Sequence, residues 1–127
     1  MIKFVLAAPL IMHGLANLGG VAAFLFGASA GFPDSAWLFS ANVRRLSPIG
    51  RLWGVLWLAS SAALIASGVG LIQEATWWRE AALTGCGLSL LSIVPWWRSV
   101  APGAKFGAIF DILAIIFLLT PLADKIF

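Results

Sequence analysis

Charge is what this sequence has least of. Only 10% of its 127 residues are Asp, Glu, Lys or Arg, while 61% are hydrophobic. A water-soluble globular domain carries about a quarter charged residues. This chain cannot cover a water-facing surface with the charges it has, so most of its surface is expected to meet lipid. Cysteine and histidine occur once each, as Cys86 and His13. A single cysteine excludes an intrachain disulfide and any CxxC redox or zinc motif, and with them disulfide-exchange chemistry. A single histidine excludes bis-histidine haem ligation within the chain. No nucleotide loop, carboxylate cluster or metal-ligand set is present, so no metal is expected. The net charge of +3 comes from scattered residues. No basic run carries the interleaved aromatics of a nucleic-acid surface.

What is present is apolar length. A helix needs about 20 residues to cross roughly 30 Å of hydrocarbon. Four segments meet this, at about residues 2–27, 48–72, 77–97 and 102–122. Lys3 ahead of an apolar run, with "ASA" at 28–30, has the look of a signal peptide. The run is long for a signal's core, however, and reads as a membrane helix. Ser47 is placed to cap the second helix, with Pro48 at its first position, and Thr76 to cap the third. The spacing predicts an all-α integral membrane fold, residues 1–127 forming one up-down bundle of four transmembrane helices.

The third segment carries its own ruler. "TWWRE" opens it and "PWWRS" closes it, which places Trp77 and Trp78 at one end and Trp96 and Trp97 at the other. Trp78 and Trp97 lie about 28 Å apart along a helix. Tryptophan with arginine just beyond it marks the two membrane interfaces, so all four are expected as interface anchors. The longest connection includes "PDSAWLFSANVRRL". Over about 34–46 it is expected to form an interfacial segment, with Trp37, Leu38 and Phe39 in the interface and Arg44 and Arg45 on lipid head groups. Arg44, Arg45, Arg51, Arg98 and Lys105 lie on one side and Lys3, Arg79 and Lys125 on the other. The positive-inside rule then puts both termini outside the cytoplasm, in the cell membrane.

Helices in lipid associate through small residues. Gly54, Ser61 and Gly68 recur every seven residues in the second helix. Ala82, Gly85, Ser89 and Ser92 mark a stripe in the third. Gly103 and Gly107 form a GxxxG in the fourth, whose row continues to Asp111. In the first, Ala16 and Gly20 share a side with His13 and Asn17. Bulky residues on other faces, Trp53, Trp57, Phe106, Phe110 and Phe117 among them, suit lipid or a neighbouring subunit. Glu74, Arg79 and Glu80 read as solvated interface charges.

His13 and Asp111 are the ionisable residues well inside the spans, and such residues usually have a partner or a function. His13 lies roughly 15 Å along the first helix and Asp111 roughly 13 Å into the fourth from the other side. Both fall near the midplane, so a buried cluster of His13, Asp111 and Asn17 is expected. Three roles stay open: a structural clamp between the first and last helices, a proton-relay or small-ligand site, or His13 as the single axial ligand of a haem or chlorophyll-type pigment.

The stretches "HGLANLGG", "SPIGRLWGVLWL", "IVPWW" and "PGAKFGAIFD" run across nearly the whole chain. In them the sequence resembles small bacterial four-helix membrane proteins of the DoxX-like group, some of which are labelled permeases. The resemblance implies the four-helix membrane fold but transfers no activity and no catalytic residue. Four short helices with one buried pair offer no transport pathway in a monomer. The expected function is therefore that of a non-enzymatic accessory or assembly subunit, packed against other membrane proteins or itself. The alternative is a small membrane redox protein or carrier that binds a quinone or pigment with His13 and Asp111.

Overall fold

The computed structural model describes residues 1–34, 43–98 and 100–126, with side chains described through residue 123 of the last stretch. The centre of the expected interfacial segment, including Trp37, Leu38 and Phe39, lies outside the described residues. Among the described residues the regular structure is helical: α1 (Ile2–Leu25), α2 (Pro48–Ile72), α3 (Trp78–Ile93) prolonged by a 3-10 turn (Val94–Trp96), α4 (Pro102–Leu119) and α5 (Pro121–Ile126). Of these, α1, α2 and α4 are long and apolar enough to cross a membrane.

The helix ends follow local chemistry. Ser47 Oγ accepts the Gly50 N–H at 3.1 Å, and Pro48 opens α2. This is the expected cap. The first helix stops at Leu25 rather than Gly27, because Gly27 turns to φ +77, the left-handed conformation that ends helices. The α3 helix begins one residue late, without a side-chain cap from Thr76; Trp77 holds the cap position. It also ends as α-helix at Ile93, two residues before Pro95. Val94 keeps α-region dihedrals (φ −59, ψ −44), but Pro95 has no N–H to continue the α ladder, and the chain tightens there into the 3-10 turn. Pro121 acts through the residue before it: Thr120 is extended, and α5 forms as a separate turn.

The helices run in alternating directions, each packed mainly on its sequence neighbour. Glycine makes the α1–α2 seam close. A Cβ on Gly54 would meet Leu25 Cδ2 at 2.5 Å, one on Gly68 would meet Ile11 Cγ1 at 2.5 Å, and one on Gly14 would meet Ile65 Cγ1 at 2.8 Å. Between these points Ser61 Oγ donates to the Gly14 carbonyl at 2.6 Å. The seven-residue row of α2 therefore lies along α1. The stripe of α3 is buried throughout, and Gly85 there sits against Leu64 of α2.

Two apolar clusters divide the interior. One holds Phe24, Phe32, Trp57, Ile93 and Trp96 near the α1–α2 loop. The other holds Ala7, Leu10, Leu64, Leu71, Cys86 and Leu118 toward the chain's N-terminus. A belt of polar side chains lies between them. At the N-terminal end Lys3 pairs with Glu74, and the Arg79 guanidinium donates to the Leu118 carbonyl at the end of α4. Arg79 is thus more than a solvated charge. It serves a carbonyl left without a donor at a helix C-terminus, where a cation is also favoured by the helix dipole.

Candidate functional site

The belt is assembled from all four long elements. From α1, His13 reaches α4, where its Nε2 lies 2.8 Å from Asp111 Oδ1. The Asp111 side chain is fully buried, and that of His13 is 9% exposed. From α3, Ser89 Oγ lies 3.4 Å from the same His13 nitrogen, and Cys86 sits beside the Asp111 carboxylate. The other carboxylate oxygen, Oδ2, is buried without a hydrogen-bond partner. Phe110 packs tilted against the imidazole at 4.8 Å between centroids. Gly107 lies over the ring, and a Cβ there would come within 2.8 Å of His13 Cε1. The His13–Asp111 contact expected from matched depth is therefore direct.

Asn17 is buried one turn further on, but it serves a different link. Its Nδ2 donates to Ser60 Oγ at 2.9 Å, and Ser60 Oγ donates to the Gly85 carbonyl at 2.8 Å. This chain ties α1 to α2 and α3. Ser60 lies beside the seven-residue row rather than on it, and spacing alone gives no signal for it. Cys86 is likewise invisible as a neighbour of Asp111 until α3 and α4 are placed together.

The structure departs from other expectations. Trp96 faces the core rather than an interface: it is 1% exposed and meets Phe24 edge-on at 4.7 Å. Trp96 lies four residues past Ser92 and seven past Ser89, on the buried stripe of α3, while Trp97 remains 38% exposed. At the other end Trp77 is 49% exposed and Trp78 is half-buried. Trp57 does not lie on an outer face either. It is 2% exposed, because Gly20 leaves room for its ring. Arg45 donates from Nη1 to the Ala28 and Ser29 carbonyls at 2.5 and 3.3 Å, so it closes the loop after α1. Arg44 is exposed, with Asp34 at 3.7 Å. In the GxxxG of α4, Gly107 touches His13 whereas Gly103 has no atom near its Cβ position. Close backbone packing is not its use. Ala16 is exposed while Gly20 is buried, so those two do not share an environment.

Two cavities flank the His13–Asp111 link between α1 and α4. One, of about 240 Å³, has wholly apolar walls, including Pro9, Leu10, Phe110, Leu113 and Phe117. The other, of about 230 Å³, is bordered by His13, Asn17, Trp57, Gly19 and Gly103. It is smaller than the roughly 300–1,000 Å³ of pockets for drug-sized ligands. A haem or chlorophyll-type macrocycle ligated by His13 does not fit it, and Nε2 is already held by Asp111. Among the described residues, no group of three or more His, Cys, Asp or Glu could hold a metal ion. Comparison with protein-family models, curated proteins and solved structures finds no match.

Proposed function

We propose that this chain is an integral protein of the cell membrane with four transmembrane helices. It performs no chemistry of its own and acts as an accessory or assembly subunit packed against other membrane proteins. The observation that carries this reading is where its buried polar groups go. His13 bonds to Asp111, Asn17 to Ser60, Ser60 to the Gly85 carbonyl and Ser61 to the Gly14 carbonyl. Each joins one helix to another, as side-chain hydrogen bonds between membrane helices do. The least covered of the long apolar helices is α4, with Phe106, Ile109, Leu113 and Ile116 exposed; this face suits lipid or a partner's helix. Sixteen α-helical residues in α3 span about 24 Å, and the 3-10 turn adds about 6 Å, together enough for a fourth crossing. Arg44 and Arg98 lie on the cytoplasmic side in this arrangement. Purification from native membranes in mild detergent tests the reading: the chain is expected to migrate with a second membrane protein or with itself, and a lone monomer in native-membrane crosslinking overturns it.

A second reading is a small membrane carrier or ligand-binding protein that uses the His13–Asp111 centre, with a quinone-type molecule among the candidates. One observation favours it: the cavity beside His13 has polar residues in its wall and stands between two helices that otherwise present apolar surface.

A further inference from the structure

The cavity beside His13 has three properties that together define a ligand. The first is size. An engineered cavity of about 150 Å³ accommodates benzene, so 230 Å³ holds one six-membered ring with a few further heavy atoms. The walls make room by omission: Gly19 of α1 and Gly103 of α4 both border the space, and a Cβ on either would meet nothing within 4 Å.

The second is a donor without an acceptor. Trp57 lines the cavity and is 2% exposed, and its indole N–H has no hydrogen-bond partner. A buried donor left unpaired is costly, so an acceptor in the cavity would recover that cost. The Trp96 N–H is also unpartnered, but Trp96 does not border this space. The third property is neutrality. His13 is the ionisable residue in the wall, and Asp111 stands behind it at 2.8 Å. A free anion would face that carboxylate, and a cation would meet no acceptor set. Water alone suits the space poorly: each buried molecule needs two to four polar partners, and the walls are mostly apolar, with Ala16, Phe32 and Ala104 among them.

We propose that the α1–α4 cavity binds a neutral, lipid-dissolved molecule of single-ring size, through a carbonyl-type acceptor that takes the Trp57 indole N–H. The proposal rests on the second reading above and names its ligand class. Gly19 and Gly103 form the mouth. His13 and Asn17 form the polar side of the cavity.

Acetophenone and ethylbenzene have nearly the same shape, but only acetophenone has a carbonyl. The full chain, labelled with ¹⁵N in its tryptophan indoles and held in detergent, gives seven indole N–H signals for its seven tryptophans. Trp57→Phe identifies the one of interest. Acetophenone is expected to move the Trp57 signal downfield, saturably, while ethylbenzene at equal concentration leaves it in place. Gly103→Leu, and independently Gly19→Leu, fill the mouth and are expected to raise the midpoint at least tenfold. The remaining indole signals, unchanged, report a folded protein. A Trp57 signal that does not respond, that responds equally to ethylbenzene, or that ignores both leucine variants overturns the proposal. His13→Ala separates the two levels of inference. If it leaves a genuine Trp57 response unchanged, the carbonyl site stands and the second reading loses His13. If Trp57 never responds, the carbonyl site falls and a His13-centred ligand of another class is what remains.

Discussion

Among the described residues, Asp111 is the acidic or basic side chain that is fully buried, and burying such a group is costly. Its side chain has no exposure, one oxygen bonds to His13, and the other has no hydrogen-bond partner. A half-satisfied carboxyl at that depth is tolerable because the 2.8 Å link to His13 holds in either direction: Nε2–H donates to the carboxylate, or a protonated Asp111 donates to Nε2. Asp111→Asn keeps an acceptor for His13 and is expected to preserve the unfolding midpoint. Asp111→Leu removes it and should destabilise by about 1 kcal/mol, the modest scale of hydrogen bonds between membrane helices. Steric unfolding in bicelles or detergent measures both. Gly107 tests the same contact from the other side. A Cβ there would stand 2.8 Å from His13 Cε1, and the ring is held between Asp111 and Phe110. Gly107→Ala is therefore expected to displace the imidazole and cost about 1–3 kcal/mol as overpacking, visible as a shifted His13 ring signal in NMR. An unmoved ring would show that the space is looser than this.

The helices themselves were largely legible in the sequence, because a long apolar run bounded by Ser47–Pro48 or by Pro102 leaves few alternatives. Their contact faces were legible where small residues repeat. Gly54, Ser61 and Gly68 each meet α1, and Ala82, Gly85, Ser89 and Ser92 are all buried. The sequence was misleading where a residue type has two uses. Trp96 and Trp57 look like interfacial or outward tryptophans, yet Trp96 continues the buried stripe of α3 and a facing Gly20 makes room for Trp57. The GxxxG of α4 looks like a helix–helix contact, yet one glycine accommodates a histidine ring and the other borders a cavity. The His13–Asp111 pair could be anticipated from depth, whereas Ser60 and Cys86 depend on helix rotation, which apolar composition does not encode. At this scale Gly68→Val is expected to be costly, since its Cβ would lie 2.5 Å from Ile11 Cγ1 and 3.0 Å from the Ala7 carbonyl; a loss of about 1–3 kcal/mol follows. Gly87→Ala, where no atom lies within 4 Å, is the control and should leave the unfolding midpoint unlowered. Equal effects of the two would contradict the close α1–α2 seam.

For the molecule as a whole, the arrangement is two apolar clusters with a polar belt between them, inside a surface that is apolar along its long helices. Three of those helices are long and apolar enough to cross a membrane, and the proposed orientation rests on the distribution of arginine. Cysteine substituted at Arg44 or Arg98, in a Cys86→Ser background, is expected to resist impermeant maleimide added to intact cells and to react after permeabilisation. Labelling from outside would reverse the orientation. Neighbouring helices in sequence pack along their lengths, but α1 and α4 flank two cavities and, among the described residues, are joined across them by the His13–Asp111 hydrogen bond. That bond closes the bundle. The most direct test is a double-mutant cycle on unfolding in a membrane mimetic, with His13→Ala, Asp111→Ala and the pair. A coupling free energy of about 0.6–1.7 kcal/mol is the expected result. Strict additivity, with the double variant losing the sum of the single losses, would mean that His13 and Asp111 do not hold α1 to α4.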